Sequence, residues 1–179
     1  MKGMVFTEFL EMVENIWSQE MVDRLIERAG VTGAYTSVGT YPHGEMLALV
    51  DALAEASGTP APDLVRAYGK HLFGRFAQAY PRFFKDVTDS IQFLAGIEDV
   101  IHAEVRKLYP DAELPSFEVE QRTDGLVMTY ISVHPFADLA QGLIEGCVHH
   151  FGDRARVARE APIEGSGAQA RFFVTRISP

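Results

Sequence analysis

The segment Leu126-Val127-Met128-Thr129-Tyr130-Ile131-Ser132-Val133-His134 has the alternation of a β-strand. Successive side chains on a strand point to opposite faces. Tyr130, Ser132 and His134 therefore share one face with Met128, while Val127, Thr129, Ile131 and Val133 take the other. Three hydrogen-bond donors then stand in a row, each about 6–7 Å from the next. Such a row suits an anion with widely spread oxygens, a pair of carboxylates for example. The same alternation also describes an ordinary polar face on a half-buried antiparallel sheet.

A second feature is His102, in the helical run Asp99-Val100-Ile101-His102-Ala103-Glu104-Val105. A neutral imidazole beside apolar residues can ligate haem iron from one side and leave the other side open to a diatomic gas. A structural histidine with one hydrogen bond is the competing reading. Cys147 and His150 lie three apart on a helix and can share a face, but two ligands do not close a zinc site, which takes four. Cys147 is read as a small core residue, and His149 and His150 as a solvated helix end. His43 and His71 have no partner that the sequence names. There is no P-loop, no dinucleotide glycine fingerprint, no nucleophile elbow and no His-Glu-x-x-His pair.

The elements that must position these residues come in two stretches. Residues 5–17 carry Val5, Phe6, Phe9, Leu10, Met12, Val13, Ile16 and Trp17 at helical spacing. A second helix over about 19–29 stops at Gly30, which can adopt the left-handed conformation. Residues 31–44 read as a loop and about 45–56 as a third helix. A fourth begins near Pro62-Asp63 and runs to Tyr80. Asp89-Ser90 caps a short helix through Ala95, and Glu98 to Tyr109 forms one more, closed by Pro110. Beyond Pro115 the pattern changes. Phe117–Gln121 and Leu126–Val133 read as strands around a Thr123-Asp124-Gly125 turn. Phe136–Phe151 is helical, and Arg154–Glu160 pairs with Ala168–Ile177 around Gly165-Ser166-Gly167. The expected fold is α+β: a helical N-terminal lobe, then β-β-α-β-β with a four-stranded antiparallel sheet.

The chain of 179 residues suits one domain with its own core. Its formal net charge of −9 disfavours nucleic acid and anionic lipid, because it offers no basic stripe for phosphates. One cysteine excludes a disulfide within the chain. Neither a leader nor a membrane-spanning stretch is read, so the expected location is cytoplasmic.

Taken together these residues resemble the haem-nitric oxide/oxygen binding family, H-NOX, which is related to the haem domain of soluble guanylate cyclase. The resemblance covers nearly the whole chain. It begins at Met1-Lys2-Gly3 and runs through Tyr80-Pro81, Asp99-Val100-Ile101-His102 and Leu114-Pro115. It closes with Tyr130-x-Ser132 and Gly142-Leu143-Ile144-Glu145-Gly146. It implies a single haem-binding domain, with a helical lobe over about 1–65 and a haem-cradling lobe over about 66–179. It implies haem b as cofactor, His102 as the iron ligand, and Tyr130, Ser132 and His134 as partners of the haem propionates. It also implies that Pro115 presses on the porphyrin. In one respect the chain departs from the family. The motif Tyr-x-Ser-x-Arg ends here in His134; histidine as a residue type offers at most two donors and is not permanently charged, where arginine is a permanently charged fork. Haem is then expected to be held more loosely as pH rises.

The resemblance also bears on the gas. Oxygen-binding relatives carry a distal tyrosine whose position here is Leu139, with supporting polar positions at Phe9 and Leu72. The distal wall implied is Val5, Phe9, Leu72, Phe76, Leu139 and Leu143, without a donor for bound oxygen. The expected function is a nitric oxide sensor, carbon monoxide being a further ligand, which is not itself an enzyme. It would signal to a separate partner such as a histidine kinase or a cyclic-di-nucleotide enzyme when nitric oxide loosens the His102 bond. The alternatives are an oxygen-binding haem protein, or a haem-free ligand or interaction module on the same fold.

Overall fold

A computed structural model describes residues 1–160 and 169–177. The expected order of helices followed by β-β-α-β-β is present. Helix α1 spans Gly3–Ile16, α2 Gln19–Ala29, α3 His43–Ser57 and α4 Ala61–Ala79. Ser18 caps α2 by accepting the Met21 N–H at 3.1 Å, and Gly30 closes it with φ +65°. A 3₁₀ turn, Pro81–Phe84, follows α4, and α5 covers Ser90–Ala95 under an Asp89 cap.

The next segment departs from the sequence reading. Instead of one helix from 98 to 109, a wide π turn, Ile97–His102, leads into a short α6, Ala103–Leu108. Gly96 precedes the turn, and its carbonyl accepts from both Val100 N and Ile101 N, at 3.0 and 3.4 Å. The second of these bonds is the i→i+5 pattern that widens a helix, a deviation that apolar periodicity does not reveal.

Strand β1 (Ser116–Arg122) pairs with β2 (Gly125–Ile131), α7 (Ala137–Phe151) crosses over, and β3 (Ala155–Glu160) pairs with β4 (Ala170–Arg176). The sheet order is β1-β2-β4-β3, antiparallel throughout. The Gly165-Ser166-Gly167 turn lies outside the described residues. β2 stops at Ile131, two residues short of the expected end at Val133. The chain then turns, with Ser132 Oγ accepting the His134 N–H at 3.0 Å and Phe136 N–H donating to the His134 carbonyl. Ser132 and His134 thus belong to a turn and not to a straight strand.

Two apolar cores share helices α4 and α7. Phe6, Phe9, Leu49, Leu53, Tyr68 and Leu72 lie in the first, built from α1 to α4. The second packs α5 and α7 on one sheet face through Met128, Tyr130, Ile144, Phe172 and Val174, and it takes Phe73 from α4. Leu143 touches both cores. The α4–α7 crossing is very close. A Cβ on Gly142 would stand 2.1 Å from the Arg66 carbonyl oxygen and 2.8 Å from Gly69 Cα. Only glycine fits there.

Candidate functional site

His102 ends the π turn with its ring buried at 9% exposure. Its Nδ1 lies 2.8 Å from Glu98 Oε1. A carboxylate only accepts, so Nδ1 carries the proton and Nε2 keeps a lone pair. Burial pushes the imidazole below its ordinary protonation range. Glu98 opposes this by charge and hydrogen bond, and Arg106 adds to it. The same Glu98 oxygen accepts the Phe117 N–H of β1 at 2.8 Å. The Phe117 ring stands 6.1 Å from His102 and 5.4 Å from Tyr130, centroid to centroid.

Tyr130 is 2% exposed and belongs to the sheet core, between Phe117 and Phe172. The face it shares with Met128 is therefore the buried face of the sheet, not a polar one. Burial pushes the phenol up, with the Ser132 hydroxyl opposing. Ser132 and His134 line a cavity of about 310 Å³, together with Glu113, Leu114, Ser116, Ile131 and Val133. Pro115 is half-buried between two of these lining residues. His134 Nε2 faces Glu113 Oε2 at 3.1 Å, and its ring lies 4.1 Å from that of His43 at the start of α3.

The six apolar residues read as a distal wall come together in the core of the helical lobe. Phe9 and Leu72 are fully buried, and Val5, Phe76, Leu139 and Leu143 pack against them. α1 supplies two of them, α4 two and α7 two. Cys147 is buried, with its thiol pushed up first by burial and then by Asp153 and Asp89. His149 and His150 are exposed at the end of α7, and His150 packs on Phe84 at 4.9 Å. Among the described residues no group of three metal-ligating side chains forms. No helix among them is long and apolar enough to cross a membrane.

Three residues near this site were given no role from sequence. Glu98 carried a signal, since it stands four before His102, where helical side chains meet. Glu113 and His43 carried none, because loops and a distant helix bring them to His134.

The model of the Haem-NO-binding family, HNOB, matches residues 2–159. The chain belongs to the haem-NO-binding, or H-NOX, family. Solved H-NOX structures agree. The Fe(II) unliganded protein from K. algicida is 38% identical, with TM-score 0.91 and coverage of 100% of this chain and 98% of that one. The protein from Shewanella woodyi, solved in solution in its Fe(II)CO state with IWP-051 bound, is 38% identical, with TM-score 0.85 and coverage of 99% and 95%. The S. oneidensis protein in its Fe(II)NO state shares the fold at TM-score 0.91 and 24% identity, with coverage of 99% and 100%. Comparison with curated proteins gives no match. The family is one of haem-binding gas sensors, and the residues present here fit that group. They include a buried imidazole with a lone pair on Nε2, a cavity rimmed by hydroxyl and imidazole donors, and an apolar wall on three helices.

Proposed function

We propose that this chain is a cytoplasmic nitric oxide sensor that holds haem b through His102 and signals to a separate protein. The observation that carries the reading is His102 itself. It is buried, its Nδ1 is engaged by Glu98, and its Nε2 is left as donor in a chain of the haem-NO-binding family. When bound, haem supplies a ferrous iron able to take a diatomic gas.

The chain's own residues do the rest. His102 holds the iron through Nε2. Tyr130, Ser132 and His134 would hold the propionates, His134 giving up its Glu113 contact to do so. Pro115, in the half-buried loop beside the cavity, bears on the porphyrin. Val5, Phe9, Leu72, Phe76, Leu139 and Leu143 exclude water and offer no hydrogen bond to a bound gas. Oxygen depends on such a bond because it takes up partial negative charge, whereas nitric oxide and carbon monoxide depend on it little. The chain is read as a sensor and not as an enzyme, and its partner as a histidine kinase or a cyclic-di-nucleotide enzyme.

Absorption spectra of the purified ferrous protein under nitrogen, with nitric oxide and in air test this, beside His102→Ala. The expected result is a five-coordinate spectrum that changes with nitric oxide and not with oxygen, and its loss in the variant. A stable oxygen complex would move the reading to oxygen binding, and an unchanged His102→Ala spectrum would overturn the ligand assignment.

A further inference from the structure

We propose that Glu98 is the positioning residue for His102: it fixes the ring's tautomer and orientation, strengthens Nε2 as a donor to iron, and ties that donor to the sheet. The proposal rests on the reading of His102 as the iron ligand.

One carboxylate oxygen serves two elements. Glu98 Oε1 accepts from His102 Nδ1 and from the Phe117 backbone N–H, each at 2.8 Å. Oε2 is left to Arg106 Nη2, more distant at 3.5 Å. The Glu98 side chain is 25% exposed and that of His102 11%, so neither bond stands in open solvent. A carboxylate drawing on one imidazole nitrogen raises electron density on the other, and that density is what an axial ligand gives to iron. A neutral acceptor at the same position would orient the ring and donate less. The second bond adds a mechanical consequence. Phe117 is the second residue of β1, and Ser116 before it lines the cavity. The His102 ring therefore cannot swing without loosening a contact to the sheet.

The test uses the holoprotein and three variants. Glu98→Gln keeps an oxygen that can accept both bonds but removes the charge. Glu98→Ala removes both bonds, and Glu98→Asp retains the charge on a shorter stem. The readouts are the iron–histidine stretching band of the ferrous protein by resonance Raman, the ferric/ferrous midpoint potential, and the rate of haem transfer to apomyoglobin. The expected result is a lower stretching frequency and a higher potential in Glu98→Gln, with movement back toward wild type in Glu98→Asp. Haem transfer should be on the order of tenfold faster in Glu98→Ala. A Glu98→Gln protein with wild-type band and potential overturns the proposal. His102→Ala separates the two failures. If the band disappears there but stays unmoved in Glu98→Gln, Glu98 has no such role. If it persists in His102→Ala, the ligand reading itself is wrong.

Discussion

Gly142→Ala is a substitution that helix propensity alone would favour, by about 1 kcal/mol in a helix interior. The packing predicts the opposite sign. The new Cβ would meet the Arg66 carbonyl oxygen at 2.1 Å and Gly69 Cα at 2.8 Å, both of them backbone atoms of α4 that no rotamer change can move. Restoring an ordinary contact of 3.4 Å requires the two helices to part locally by about 1.3 Å. Overpacking of this kind costs roughly 1–3 kcal/mol, and separation by even part of that distance forfeits dispersion contacts along the whole crossing. Because both contacts are with backbone, the cost belongs at the upper end of that range, and after the propensity gain is deducted the expected net loss is about 2 kcal/mol. In a domain of this length that lowers the melting temperature by roughly 4–8 °C. Gly74→Ala on α4 is the control, because a Cβ there meets nothing within 4 Å. It should gain up to about 1 kcal/mol from propensity alone. Thermal and urea unfolding, followed by circular dichroism on the purified proteins, give both numbers. A Gly142→Ala protein as stable as wild type, or one that rises alongside Gly74→Ala, refutes the claim that the α4–α7 approach is limited by backbone contact.

Three further outcomes are expected. Burial alone would push the Glu145 carboxyl up. Hydrogen bonds from Arg66, Lys70 and Gln141 outweigh it, leaving the group below the ordinary range. Its stabilising contribution is thus present above the ordinary glutamate value of about 4.3 and is lost as pH falls through the lower folded value. Glu145→Gln should then cost roughly 1 kcal/mol at pH 7, because both cations are partly solvated, and little at pH 3. An equal deficit at both pH values in urea titrations would contradict the assignment. Leu139→Tyr puts a phenol into the apolar wall. Oxygen binding should become measurable in air-equilibrated spectra, with a gain of about 1.5 kcal/mol or on the order of tenfold, and an unchanged spectrum would mean that the wall has been misassigned. Glu113→Ala frees His134 Nε2, so haem transfer to an acceptor protein should slow, whereas faster loss would show that Glu113 supports the site and does not compete for it.

The fold was legible in the sequence wherever a local pattern carried it. The 3.6 period of α1, the Gly30 stop and the Thr123-Asp124-Gly125 turn each depend on residues within a few positions of one another. The six residues of the apolar wall came out together because the family resemblance fixed their order along α1, α4 and α7 and the packing of those helices closes them into one cluster. What was not legible depended on distance or on backbone geometry. The π turn before His102 is marked by i→i+5 bonds from Ile101 to Gly96 and from Ala103 to Glu98, and it leaves the apolar spacing of that segment nearly unchanged. The end of β2 at Ile131 was hidden because residues 132–134 continue the strand alternation in type while the Ser132 hydroxyl bends the backbone. Tyr130 was placed on the correct face but given the wrong environment. Alternation tells which side chains share a face, and only α5 and α7 lying over that face make it the buried one.

The two sides of the candidate site differ in how firmly they are built. The apolar wall hangs on α4 and α7, whose backbones meet through Gly69 and Gly142, and on α1, where the Tyr68 hydroxyl donates to the Val5 carbonyl and Arg75 Nε to Glu8 Oε2 at 2.5 Å. The His102 side hangs on a six-residue π turn with one buried side chain, His102, and on a six-residue α6 with none. π turns recur at functional sites, and segments with few buried apolar contacts are the ones that open at low free-energy cost. On the proposed reading of His102 as the iron ligand, a change at that bond would meet little resistance along 97–108, whereas the helices that carry the wall would keep their packing. On the same reading Glu98 would direct such a movement, because its one oxygen joins the imidazole to the Phe117 amide of β1. Beside the packing of Ile97, Ile101 and the His102 ring, the segment is thus hydrogen-bonded to the sheet through the carboxylate that holds the imidazole.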